Sequence, residues 1–262
     1  FRVSFPYDGL PTAFNAEYGP DDAEVTIAFL AEYDALPGVG HACGHSLSGA
    51  MSVLAAVAIK DLQDELNCDI HLIGTPNEEN DGASGVFDEY EEAIMIHLFD
   101  KNQLYCKLLG LHQFEYTFHG KPAHGATAPW EGVNALNAAQ LMFHGIDCLR
   151  QHVTPDVRMH GVYRNGGLAP NVVPAEASVE FYTRALEKKY HLGLDEKLDK
   201  IAEGAALMTG CTWEKKLTAA MYDNMNNNFV GINAMEEVYA EVGVELNGDP
   251  EVIFGSSDAG NV

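Results

Sequence analysis

Basic residues are scarce in this chain: 15 Lys and Arg stand against 39 Asp and Glu, a formal net charge of −24 over 262 residues. Binding a phosphate backbone takes clustered Lys and Arg, so this balance excludes a nucleic-acid partner. Long apolar runs are missing too. The best, Val53 to Ile59, is seven residues inside a helical pattern, against the roughly 20 that cross a bilayer, so no membrane partner is expected. Cysteine is sparse and unpatterned. Cys43, Cys68, Cys106, Cys148 and Cys211 are odd in number and widely scattered, which speaks against a disulfide framework and for a reducing compartment. With no secretory signal at the start, the cytoplasm is the expected location. The first residue is Phe1 rather than Met, which predicts that an amino-terminal piece is absent.

What is present is the make-up of an ordinary globular chain, 47% hydrophobic and 21% charged, long enough for one large domain or two smaller ones. The first hundred residues alternate strands and helices. Glu24 to Leu30 is an apolar run of strand type that empties into the loop from Ala31 to Pro37. Met51, Leu54, Ala55, Val57, Ala58 and Leu62 recur at helical spacing, predicting a helix over Ser46 to Leu66 capped by Ser46. Asp69 to Gly74 and Ala93 to Leu98 read as two further strands. Strands separated by helices favour a mainly parallel sheet, whose sites lie at the carboxyl ends of the strands.

From about Leu111 the pattern changes. His112 to His119 alternates as a half-exposed strand, and a helix is expected from Trp130 to about Arg150. Strands near Arg158 to Arg164 and Ala175 to Ala185, a helix near Leu194 to Thr209 and a strand Cys211 to Leu217 follow. The order β-α-β-β-α-β is the ferredoxin-like unit, here a compact insertion. An asparagine-rich linker, Asp223 to Asn228, leads back to a helix over Gly231 to Val242 and a strand at Val252 to Phe254. The expected division is 1–110 and 223–262 for one domain and 111–222 for the insertion.

Chemistry concentrates after the strands. In His41-Ala42-Cys43-Gly44-His45 a thiol and two imidazoles crowd five residues, and thiolate and neutral imidazole are donors for a borderline-soft divalent metal. Cys43 and His45, two residues apart, can reach one side of an extended loop, with His41 behind them; a buried thiol beside a helix-starting histidine is the plainer alternative. Glu78-Glu79 follows the second strand. Adjacent residues point to different sides of a loop, so one can bind metal while the other takes a proton from water; a solvated acidic loop is the alternative in so acidic a chain. Asp34 and His97 also follow or end strands, and His97 alone reads equally well as a satisfied strand histidine.

Six strings then carry a resemblance: AEYDALPGVGHACGHSLSGA, GTPNEE, MIHL, GKPAHGATAPWEGVNAL, GGLAPNVVPAEA and GSSDAGNV. In order, and over nearly the whole chain, they resemble the M20 metallopeptidase and amidohydrolase family, in its aminoacylase-like branch with the aminobenzoyl-glutamate hydrolase type. The resemblance implies an α/β metallohydrolase catalytic domain with an inserted lid and dimerisation domain, and a homodimer formed through that lid. It implies two divalent ions, Zn2+ or Mn2+, held by Cys43, His45, Glu79 and His97, with Glu78 as general base and Asp34 supporting the metal site. His124 corresponds to the histidine that stabilises the oxyanion. Asn171 and Arg184 match positions that hold a substrate carboxylate, and Gly255 and Ser256 lie in the loop lining the pocket. The family's last metal histidine falls downstream of GSSDAGNV, beyond Val262, so the chain is expected to be one ligand short.

The expected activity is hydrolysis of the amide bond of a dipeptide or N-acyl amino acid. The alternative is a non-catalytic metal- or peptide-binding homologue with an incomplete ligand set. A zinc deaminase also uses His and Cys ligands with a Glu base, but it needs a P-C-x-x-C element, which is absent.

Overall fold

The structure, a computed structural model, describes residues 1–78, 90, 92–247 and 255–261. The chain divides into two compact units. One comprises Phe1–Tyr105 with 227–247 and Asn261, the other Cys106–Asn226 with 255–260.

The first unit is built on a five-stranded sheet of β1 (Arg2–Ser4), β2 (Phe14–Tyr18), β3 (Val25–Glu32), β4 (Cys68–Thr75) and β5 (Glu92–Met95), in the order β1-β2-β4-β3-β5. β3 runs parallel to both β4 and β5, whereas β2 is antiparallel to β4 and to β1. The described sheet is therefore mixed rather than mainly parallel. β1 and β2 escape sequence reading because both are short and neither carries a strong apolar alternation. Helix α1 (His45–Lys60) covers one face, burying Ala56 among Phe29, Ala31, Ile70 and Leu72. The helix expected to run on to Leu66 stops at Lys60, and Gln63–Leu66 forms a separate single turn, α2. On the opposite face Ala28, Leu30 and Ile73 pack with Tyr7, Leu10 and Met95. Helix α5 (Phe229–Glu241) starts on Asn228, whose side chain accepts from the Val230 and Gly231 amides, and it buries none of its residues. The strand expected at Val252 to Phe254 lies outside the described residues.

The second unit runs β6 (Gly110–His119), α3 (Ala135–Leu149), β7 (Arg158–Asn165), β8 (Glu176–Ala185), α4 (Lys188–Thr209) and β9 (Thr212–Leu217). Its sheet is antiparallel throughout, ordered β7-β8-β6-β9, a ferredoxin-like arrangement. Period-two alternation turns Phe114, Tyr116 and Phe118 of β6 and Val179 and Phe181 of β8 inward, onto Ala138, Met142, Ile146, Leu194, Leu198 and Ala202 of the two helices. α3 begins at Ala135, later than expected, because Asn134 caps it: its Oδ1 accepts from the Leu136 amide at 2.9 Å and the Asn137 amide at 3.3 Å. Trp130 sits instead in a short 3-10 turn.

Candidate metal centre

Parallel pairing of β3 with β4 and β5 places three strand ends at one edge: Glu32 is opposite Thr75, and Leu30 opposite Met95. Just past those ends come Asp34, Glu78 and His97. α1 delivers His45 to the same edge. Its start is set by Gly44, which adopts φ +83°, a left-handed conformation that glycine tolerates best. A Cβ there would also meet Leu98 Cδ1 at 2.5 Å. Ser46, the expected cap, lies inside the helix, and no side chain caps that end. The face of α1 toward β3 is made of small residues. Ser52 Oγ donates to the Leu30 carbonyl at 2.6 Å, Ser48 Oγ accepts from the Leu98 amide at 3.3 Å, and Gly49 lies so close that a Cβ would stand 2.6 Å from the Glu32 carbonyl.

His45 is 1% exposed, and Asp34 Oδ1 lies 2.7 Å from its Nδ1. An ionised carboxylate only accepts, so Nδ1 is the donor of this bond, which in a neutral imidazole leaves the lone pair on Nε2. That Nε2 has no hydrogen-bond partner among the described residues and faces Glu32 Oε2 at 3.5 Å and Glu78 Oε2 at 3.9 Å. His97 repeats the arrangement. Its Nδ1 donates to the Leu98 carbonyl at 2.8 Å, and its Nε2 lies 3.8 Å from the same Glu32 oxygen. The two rings meet edge to face, centroids 5.4 Å apart. Ligand atoms of Glu32, His45 and His97 all lie within 4.8 Å of one another. Two imidazole nitrogens and a carboxylate oxygen turned on one point are donors of the kind a divalent metal ion takes, so the set fits such an ion.

The structure thus gathers Asp34, His45, Glu78 and His97. Cys43 is half-buried, and the clustered groups of possible ligands among the described residues do not include its thiol. Glu79 lies outside the described residues. Glu32 is the member that sequence reading missed. At the end of an apolar run it looks like a solvated strand-end acid, yet it is 2% exposed; the signal available was its i, i+2 spacing to Asp34.

In the second unit, the loops carrying His124 and Asn171 are tied together. The Gly125 amide donates to the Asn171 carbonyl at 2.8 Å, and His124 bridges to Val172. His124 Nδ1 accepts from the Ala126 and Thr127 amides at 3.2 and 3.1 Å, so its proton resides on Nε2, which is left as a donor on an exposed ring. The side chain of Arg184 donates from Nη1 to Ser256 Oγ at 2.7 Å, and burial pushes its guanidinium below its usual pKa. The Gly255 carbonyl accepts from the Leu109 amide at 2.9 Å.

The same unit holds a second polar cluster, at which sequence reading placed nothing. His112 Nδ1 meets Asp195 Oδ2 at 2.5 Å, and Thr183 Oγ1 bonds His191 Nε2 at 2.9 Å and Asp195 Oδ1 at 3.0 Å. The rings of His112 and His191 stack 3.7 Å apart.

Histidines and carboxylates gathered beyond the parallel strands of an α/β sheet define a metal-site class of protein. The chain belongs to peptidase family M20/M25/M40, whose model matches residues 28–262. It is 36% identical over 275 residues to the Xaa-Arg dipeptidase of Mus musculus, covering 98% of this chain and 64% of that protein. To a p-aminobenzoyl-glutamate hydrolase polypeptide of Escherichia coli it is 31% identical over 281 residues, 97% of this chain and 58% of that one. The chain thus spans less than two thirds of either relative. In fold it resembles the crystal structure of the Bacillus subtilis YXEP protein, a dinuclear metal binding peptidase of the M20 family. The TM-score is 0.72 at 22% identity, over 95% of this chain and 72% of that one. No helix among the described residues is long and apolar enough to cross a membrane.

Proposed function

We propose that this chain is the metal-binding part of a hydrolase that cleaves the amide bond of a dipeptide or N-acyl amino acid. The observation that supports this most is the pair of imidazoles whose Nδ1 atoms are tied to oxygens while both Nε2 atoms face one buried carboxylate. The family resemblance gives the ligands as Cys43, His45, Glu79 and His97 and the ions as two Zn2+ or Mn2+. Such ions supply Lewis-acid charge that polarises a carbonyl and acidifies water.

The chain's own groups do the rest. Glu78 takes the proton of the attacking water and returns it to the leaving amine. Asp34 holds the His45 tautomer. His124 donates its Nε2 proton to the developing oxyanion. Arg184 and Asn171 bind the substrate carboxylate, Arg184 through a planar fork suited to two oxygens, with Ser256 and Gly255 beside them in the pocket loop. The second unit takes the family's role of lid and homodimer contact, and the protein works in the cytoplasm. Among substrates, a dipeptide ending in Arg, as in the name of the mouse relative, suits a chain of net charge −24.

Removal of Glu78 separates binding from turnover. The Glu78→Ala protein is expected to keep its metal and to lose about 100-fold to 10,000-fold in kcat, the usual worth of a positioned base. Wild-type turnover by that variant would remove Glu78 from the role. Dialysis against a chelator should abolish hydrolysis, and added Zn2+ or Mn2+ should restore it. The position of Cys43 outside the clustered ligand groups favours a second reading, a metal- or peptide-binding homologue without turnover. Two bound ions with hydrolysis support the enzyme, whereas one or none without it supports the binder.

A further inference from the structure

We propose that Glu32 is itself a metal ligand, its Oε2 completing a one-carboxylate, two-imidazole set with His45 Nε2 and His97 Nε2. This rests on the metal-dependent reading above and adds a residue that the resemblance does not assign. Three observations carry it, beginning with the separations. Ligands about 2.0–2.2 Å from a tetrahedral ion stand roughly 3.3–3.6 Å from one another. Glu32 Oε2 is 3.5 Å from His45 Nε2 and 3.8 Å from His97 Nε2, near that spacing and too long for hydrogen bonds.

The second is placement. Glu32 ends β3, which pairs on both sides with β4 and β5, and its carbonyl lies directly beneath Gly49 of α1. A carboxylate on so fixed a backbone is aimed rather than free to swing. The third is charge. Glu32 is 2% exposed and shares its surroundings with Glu78, 8% exposed. Burying a carboxylate costs several kcal/mol, and positive charge held beside it offsets that cost. A divalent ion among the three atoms supplies that charge, and an N2O donor set suits zinc or a similar borderline ion.

The test is calorimetric titration of Zn2+ into the full, chelator-treated chain, with wild type beside Glu32→Gln and Glu32→Asp. Circular dichroism first establishes that each protein is folded. The Gln variant matches Glu in shape but has no charge, and it is expected to lose one equivalent of Zn2+ or more than about 100-fold in affinity, beyond the about 10–100-fold that contacts outside the ligand shell are worth. The rise in Tm that Zn2+ gives wild type should shrink in parallel. Binding by the Gln variant at wild-type stoichiometry and within about 100-fold of wild-type affinity overturns the inference. Should that variant fail to fold, the Asp variant decides by the same two criteria, because its carboxylate is withdrawn by one methylene. If wild type takes up no Zn2+, the metal-dependent reading falls first and this inference with it. A wild type that binds normally beside an unaffected Gln variant removes Glu32 alone.

Discussion

Buried imidazoles stand at two places among the described residues, in opposite surroundings: His45 at one, His112 and His191 at the other. His45 has a carboxylate on one nitrogen and further carboxylates facing the other, the setting of a ligand. His191, 1% exposed, stacks on His112 and bonds Thr183, and it is held neutral. Burial, and then the neighbouring His112, push its pKa down from 6.5 to about 4, against the weaker pull of Asp195. The sign of the consequence follows from proton counting. Between pH 6.5 and pH 4 the unfolded chain carries a proton at this position that the folded chain lacks, so stability is full above pH 6.5 and falls as pH drops toward 4. The loss expected from His191 is on the order of 2–3 kcal/mol. Urea unfolding at pH 7 and pH 5 should show wild type losing more stability than His191→Gln; equal losses would sink this account. Neither this cluster nor the burial of Glu32 was legible in the sequence, for one physical reason. Strand-end position can be read from an apolar run, which is how Asp34, Glu78 and His97 were found, but burial of a charged side chain depends on what packs over it. For Glu32 the side chain is faced by His45 of α1, 13 residues further along the chain.

The elements that were read best are those whose pattern is purely local. The alternation of HQFEYTFH marks β6 because each inward residue meets helices α3 and α4, and the unit around it follows in order. Boundaries were read less well, since caps decide them. Asn134 rather than Trp130 starts α3, and Gly44 rather than Ser46 starts α1. Gly44 has the larger consequence for function, because the helix it begins presents His45 in its first residue. An alanine there meets two penalties: a left-handed φ of +83° and a Cβ 2.5 Å from Leu98 Cδ1. The first costs about 1–2 kcal/mol, while the second is partly relieved by movement of the Leu98 side-chain end. Gly44→Ala is therefore expected to lose about 2 kcal/mol in denaturant unfolding without metal. It should also bind Zn2+ more weakly, because Leu98 follows His97 directly and accepts its Nδ1 proton. Unchanged stability together with unchanged Zn2+ affinity would show that the loop tolerates a side chain.

At the scale of the whole molecule the dominant quantity is charge, −24 from 39 acids and 15 bases. Acids at the metal centre account for only a few of these; the rest set a field that acts over distance. A net field of this size attracts cations and repels anions before any contact forms, and it raises encounter rates with oppositely charged ligands in a salt-dependent way. Screening shortens its reach to about 10 Å at 0.1 M ionic strength, from about 30 Å at 0.01 M. The carboxylate that Arg184 and Asn171 are proposed to hold is therefore met by local positive charge, while the remainder of the surface favours a cationic side chain on the same substrate. If the substrate ends in Arg, its free carboxylate and its guanidinium are served by different parts of this balance. The measurable result is a difference between substrates. Raising salt from about 0.01 M to about 0.1 M should lower kcat/KM several-fold for a dipeptide ending in Arg. For the same dipeptide ending in an uncharged residue of similar length, kcat/KM should change little, and kcat should stay constant for both. Equal salt responses for the two substrates would mean that the chain's charge serves solubility alone and takes no part in choosing what it cleaves.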